Sequence, residues 1–207
     1  MNKIVNIIFP FYENWKANII IKTRMFPKND QGEDSLPTGI MEDVEAPSNI
    51  TTEKLEELYK YTFKVKERLE DKAKVNIIGI TISVSLIVGA TGLLSSINTK
   101  FENSFVPLCA AILLIASVAY MIISGCLVIH MLTNENETYH VSLNSIAKDE
   151  RTLRGDYDKC IAQNQRKNTI RNNYISTSYA CIRNSLVCLF ILFLFIVASN
   201  NLSYRPI

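Results

Sequence analysis

Charge is what the most distinctive parts of this sequence lack. No Asp, Glu, Lys or Arg occurs between Val75 and Ile97 (VNIIGITISVSLIVGATGLLSSI) or between Phe105 and Leu132 (FVPLCAAILLIASVAYMIISGCLVIHML). Histidine is scarce too: His130 and His140 are the only two, and neither has a nucleophile or carboxylate spaced to share a proton with it. No P-loop, GxSxG, HExxH or metal-ligand spacing is present, so no catalytic residue, metal site or cofactor is expected, and an enzyme is disfavoured. The five cysteines, Cys109, Cys126, Cys160, Cys181 and Cys188, form no CxxC pair. They read as free thiols used as small apolar side chains. A net charge of +2, with no basic cluster interleaved with aromatics, gives no footing for direct nucleic acid binding.

What is present is concentrated. The hydrophobic fraction of 48% is ordinary because the apolar residues are gathered into three blocks. A bilayer core needs about 20 apolar residues in a helix, and each charge-free run is long enough to supply them. Only NTKFENS separates the two, so they read as a transmembrane hairpin. A third block, Asn184–Tyr204 (NSLVCLFILFLFIVASNNLSY), has an equally charge-free centre. The expected fold is all-α: an integral membrane protein with three transmembrane helices, a hairpin plus a C-terminal span, and helical extensions outside the bilayer.

The chain divides accordingly. Residues 1–50 form an N-terminal segment in which Ile4, Ile7, Ile8, Phe11, Tyr12 and Trp15 share one apolar face, suited to a membrane interface or to docking on the protein's own polar part. The run is short, is interrupted by Pro10 and lacks a small-residue cleavage site, so it does not read as a signal peptide. Gln31–Asn49 carries acids, no bases, two prolines and two glycines, and reads as a linker. Within residues 51–132 an amphipathic helix, capped by Ser48, Thr51 or Thr52 and acidic at its start, runs into the first span. Leu55, Leu58, Thr62, Val65 and Leu69 recur on it at alternating spacings of three and four. That stripe suits packing within the chain or self-association about a symmetry axis. Residues 133–178 form a polar helical segment with Gly155 as its weak point. Its stretch NQRKNTIRNNY reads as a solvated or subunit-facing surface, or as a surface for a polar, anionic ligand. Residues 179–207 hold the third span and a short tail.

Charge also predicts topology. Lys60, Lys64, Lys66, Arg68, Lys72 and Lys74 crowd the approach to the first span, and Lys148, Arg151, Arg154, Lys159, Arg166, Lys167, Arg171 and Arg183 precede the third. The hairpin turn has only Lys100, offset by Glu102, and the tail only Arg205. The positive-inside rule places the N-terminus and the middle segment in the cytoplasm and the C-terminus outside the inner (plasma) membrane. Arg183, at the mouth of the third span, is placed to snorkel or to meet a lipid phosphate.

Small residues mark the spans. Thr81, Ser85, Gly89, Gly92 and Ser96 share one face of the first, and Ala110, Ser117 and Ser124 repeat every seven residues along the second. Such faces let helices approach closely; brought together around an axis in several copies, they would line a narrow aqueous path. The third span, CLFILFLFIVA, is bulky and reads as lipid-facing. No Asp, Glu or Lys lies inside a span and no inverted repeat appears, which argues against an ion-coupled transporter.

The helix LEELYKYTFKVKERLEDKAK with its Arg68-Leu69 pair, two spans, and a polar helical segment rich in Tyr and Asn resemble the SLATT-type small membrane proteins of bacterial conflict systems. The resemblance covers roughly residues 51–176, and the third span departs from it. It implies an oligomeric effector that permeabilises or depolarises the inner membrane in an immune, anti-phage or stress response. Its partners would be the bilayer, further copies of itself, and a sensor protein or a small anionic or nucleotide signal. No residue roles carry over. A non-conducting anchor for a cytoplasmic partner and a small channel subunit are the alternatives.

Overall fold

The computed structural model describes residues 7–25, 50–100, 105–147 and 149–203. The acidic linker of residues 31–49 and the tail after 203 lie outside them, as do the side chains of 93–100, Ser96 included. Among the described residues there is no strand, and the protein is all-α. Four long helices account for nearly all of it: α1 (Pro10–Met25), α2 (Thr52–Lys100), α3 (Phe105–Asn134) and, after a single turn α4 (Leu143–Ile146), α5 (Glu150–Ser203).

Local chemistry explains the boundaries. Pro10 opens α1, where a missing N–H costs nothing. At the head of α2 the Thr51 carbonyl accepts from the N–H groups of Lys54 and Leu55 at 3.0 and 3.1 Å, and Glu53 sits in the first turn against the positive helix end. Asp149 does the same for α5: its carbonyl accepts from Leu153 N–H at 3.2 Å, and its carboxylate accepts from the Thr152 hydroxyl at 2.6 Å. That hydrogen bond holds the Asp149 carboxyl below its ordinary range.

The expected elements merge in the structure. α2 has 49 residues and unites the amphipathic helix with the first span. It also runs on through Asn98–Lys100, leaving only residues 101–104 of the expected turn, outside the described residues. α5 has 54 residues and unites the polar middle segment with the third span, passing Gly155 without a break. The middle segment is not one helix, however: residues 135–142 are non-helical and α4 is a lone turn.

Three helices are long and apolar enough to cross a membrane: Thr52–Gly92, Pro107–Asn134 and Glu150–Ala198. Only 17%, 28% and 22% of their most apolar windows is buried inside the protein, so most of that apolar surface faces outward and calls for a non-aqueous environment. The described residues fall into two compact units. One draws on Met1–Pro10, Ala73–Ile129 and Ser176–Ile207, the other on Phe11–Lys72 and His130–Ile175.

In the apolar unit, α3 and α5 pack antiparallel around a core of Ile87, Ala110, Leu114, Met121, Ile182, Leu192 and Ile196. Tyr120 donates its hydroxyl hydrogen to the Ile8 carbonyl at 2.8 Å, and the Asn184 amide donates to the Ile7 carbonyl at 2.7 Å, tying these two residues to α3 and α5. In the polar unit, α1 docks through polar residues. Asn18 is buried and accepts from the Asn173 amide at 2.7 Å, and Lys22 pairs with the buried Glu135. The apolar residues Tyr12, Trp15, Ile19 and Ile20 are exposed, an inversion of the usual amphipathic arrangement. The Asn18 amide nitrogen is the one buried side-chain polar atom left without a partner among the described residues.

Candidate functional site

The two small-residue faces in the apolar unit have opposite fates. Ala110, Ser117 and Ser124 are fully buried. The Ser117 hydroxyl meets the Ser185 hydroxyl at 2.6 Å and donates toward the Ser185 carbonyl at 3.3 Å. One heptad along, the Ser124 hydroxyl meets that of Ser178 at 2.7 Å and its carbonyl at 3.1 Å. The same register puts Ala110 on the row of Leu192, and both belong to the core. Small side chains permit this close approach, and each hydroxyl is satisfied across the seam. The amide of Asn76, itself buried, donates to the Ser178 hydroxyl at 3.2 Å, so α2 joins the same junction.

On α2, by contrast, Thr81, Ser85, Gly89 and Gly92 are all exposed. A Cβ added at Gly89 or Gly92 would meet no atom within 4 Å. The hydroxyls of Thr81 and Ser85 donate back to their own helix, to the carbonyls of Ile77 (3.0 Å) and Thr81 (3.1 Å). The face is built of small residues, yet among the described residues no helix packs on it.

The bulky third span is not simply lipid-facing. Ser185, Leu192 and Ile196 of α5 are buried, while Phe190, Phe193 and Val197 are exposed. The seven-residue spacing from Ser178 to Ser185 matches that from Ser117 to Ser124, and this was the signal available in the sequence. Arg183 is exposed on α5 among Tyr179, Leu186 and Val187, with a 3.5 Å contact to the Asn184 side-chain oxygen.

The polar unit is organised around Arg171, which is 1% exposed. Its Nε donates to the Glu135 carbonyl at 2.7 Å, one terminal nitrogen to the Glu137 carbonyl at 2.5 Å, and the other to the Asn168 side-chain oxygen at 2.6 Å. These carbonyls lie just beyond the C-terminus of α3, so Arg171 caps that helix from outside. Asn164 extends the row: its oxygen accepts from Tyr139 N–H at 2.8 Å and its amide donates to the Tyr139 carbonyl at 3.0 Å. Asn168 donates to the Thr62 carbonyl at 2.9 Å, bringing in α2. Asn164, Lys167, Asn168 and Arg171 thus form a buried face of α5, not the solvated or subunit-facing surface their polarity suggests. Their spacing of three, four and seven is that of a core stripe written in polar residues.

Glu135, also buried, receives Lys22 on one carboxylate oxygen and Lys167 on the other at 3.3 Å; Lys167 lies 3.4 Å from Glu137 as well. Burial alone would raise the Glu135 carboxyl, but the hydrogen bond from Lys22 and the charges of Lys167 and Lys22 outweigh it and hold the group below its usual range. The same pairing holds Lys22 above its ordinary value against the effect of burial. Burial lowers Arg171, opposed by the charges of Glu70 and Glu135. A cavity of about 370 Å³ beside this network is lined by Lys66, Glu70, Glu135, Asn136 and Arg171 together with Met131 and Leu132. Its charges are matched: Lys66 donates to the Asn136 carbonyl at 2.9 Å and lies 3.5 Å from Glu70. The cluster secures the fold around residues 135–141.

The amphipathic stripe of α2 divides. Leu55, Thr62 and Leu69, seven residues apart, are buried within the chain. Leu58 is exposed, and the half-buried Val65 lines an open groove of about 580 Å³ between α2 and α5. Among the described residues no group of His, Cys, Asp and Glu is arranged to hold a metal ion. No family model matches the chain, and no curated protein or solved structure matches it either.

Proposed function

We propose that the protein is an oligomeric inner-membrane effector that permeabilises or depolarises the membrane in a bacterial immune, anti-phage or stress response. One observation carries the reading: the face Thr81–Ser85–Gly89–Gly92 of α2 is small, hydroxyl-bearing and turned outward, while the equivalent face of α3 is consumed inside the chain. Lipid gives no hydrophobic reason for such a face, whereas close approach of neighbouring copies does. Copies assembled on it around an axis would present hydroxyls and backbone to a narrow path. The Lys/Arg bias supports a cytoplasmic N-terminus and polar unit, with the C-terminus outside, and the resemblance to SLATT-type proteins supports the conflict-system setting.

A second reading has its own support. The Thr81 and Ser85 hydroxyls are already satisfied by their own helix and need no water, as befits a dry or lipid-facing surface. That would make the protein a non-conducting anchor for a cytoplasmic partner. Inducing the protein in bacteria carrying a potential-sensitive dye separates the two: the effector depolarises cells or arrests growth, and the anchor is inert at equal membrane abundance.

A further inference from the structure

We propose that the groove between α2 and α5 in the polar unit binds a phosphate-bearing ligand, with Arg68 and Lys72 as the residues that hold the phosphate. The groove encloses about 580 Å³, and none of its ten lining residues is a carboxylate. That volume lies within the range of small-molecule sites.

Arg68 and Lys72 stand one turn apart on α2, and both are exposed. Neither makes a hydrogen bond or ion pair among the described residues. Two other cations of the same helix are paired with glutamates four residues away: Lys60 with Glu56 at 2.5 Å and Lys66 with Glu70 at 3.5 Å. Arg68 and Lys72 are the two cations that line the groove, and they stand side by side there without a counterion among the described residues. Like charges one turn apart on a helix repel and bring no stability of their own, and a phosphate bridging the two would reverse that repulsion.

The opposite wall supplies neutral donors of the right kind. Gln165 and Asn172 of α5 line the groove with amides that make no hydrogen bond among the described residues. Asn168, between them, is already committed to Thr62 and Arg171, so it shapes the wall and does not bind. Val65 and Leu69 give an apolar floor, and the exposed Tyr61 ring stands at the rim. Donors around an apolar floor with an aromatic edge suit a phosphate attached to an organic body better than a bare ion.

Two sources offer that chemistry. Lys72 lies three residues before Val75, where the first charge-free run begins, about 5 Å along the helix, so a phospholipid headgroup is one; a soluble phosphate ester is the other. The inference stands on this groove alone and is independent of whether the membrane part conducts.

The test uses full-length protein in nanodiscs and two charge-matched variants. Arg68→Gln/Lys72→Gln empties the groove of charge; Lys54→Gln/Lys64→Gln removes two exposed cations from the same helix outside it. ATP is titrated calorimetrically into phosphatidylcholine nanodiscs. In parallel, phosphatidylglycerol retained from mixed nanodiscs is counted by native mass spectrometry. A soluble ligand predicts ATP binding that weakens roughly ten-fold or more in the groove variant and is unchanged in the control. A lipid ligand predicts retained phosphatidylglycerol that is lost in the groove variant and kept in the control. Wild-type protein that binds neither, or equal losses in both variants, overturns the proposal.

Discussion

Replacing Arg171 with Met keeps the length of the side chain but removes all of its donors. The guanidinium serves the carbonyls of Glu135 and Glu137 and the side-chain oxygen of Asn168, and it is 1% exposed. Three charge-assisted hydrogen bonds at about 1.5–3 kcal/mol each would suggest a very large loss. Met does not have to be desolvated as a cation, which returns part of it, and removal of one partner from a buried ionic network costs about 3–5 kcal/mol. That is a substantial share of the roughly 5–15 kcal/mol that holds a domain together. The loss should be local first, because residues 136–141 are non-helical and lean on side chains such as Arg171 and Asn164 for their backbone hydrogen bonds. Hydrogen exchange in nanodiscs is the assay: amides of residues 135–142, Tyr139 above all, should exchange far faster in Arg171→Met, while α3 at Met121 and Ser124 keeps its protection. Arg171→Lys should behave nearly as badly, since one ammonium cannot reproduce the fork that spans Glu135 and Glu137. Wild-type exchange at Tyr139 in Arg171→Met would refute the capping role.

Two further outcomes follow from the polar unit. The Glu135 carboxyl sits below its ordinary value of 4.5 in the folded protein, so its contribution to stability is complete above pH 4.5 and is lost as pH falls through the lower folded value. Glu135→Gln should flatten the acid limb of a thermal-melt profile over that window, and an unchanged acid limb would show that the ion pairs with Lys22 and Lys167 contribute nothing. Trp15, the single tryptophan, lies on the outward apolar face of α1 with Tyr12 and Ile19. In vesicles its emission should lie to the blue of a water-exposed tryptophan and resist aqueous quenchers, as α1 resting on the bilayer surface requires; water-like, readily quenched emission would remove that role.

The membrane helices were legible because absence of charge over 20 or more residues has one common physical meaning. The all-helical fold followed from the same runs and from the Leu55–Leu69 periodicity. The heptad of Ala110, Ser117 and Ser124 was visible too, and the structure shows it packed on α5. Its counterpart on α5 is hard to see in the sequence because Ser178 falls in a polar stretch and only Ser185 falls in the apolar block. The buried row Asn164–Lys167–Asn168–Arg171 was illegible for a deeper reason. Polar residues at helical spacing look the same whether water or backbone carbonyls satisfy them, and the non-helical segment that supplies those carbonyls lies about 30 residues away. Asn18 and Lys22 were hidden likewise, since their partners Asn173 and Glu135 are remote in sequence.

The proposed aqueous path along the outward face of α2 in the assembled protein is tested by thiol accessibility at Ser85. With the native cysteines replaced, Ser85→Cys barely changes volume, and its thiol reacts well only where water lets it ionise. Ser117→Cys, buried between α3 and α5, is the dry reference. In vesicles permeabilised by the protein, a small water-soluble thiol reagent should modify the Ser85→Cys protein and alter its conductance, and leave the Ser117→Cys protein unmodified. A fully conducting assembly in which the Ser85→Cys protein stays as unreactive as the Ser117→Cys protein would contradict the claim and put the anchor reading first.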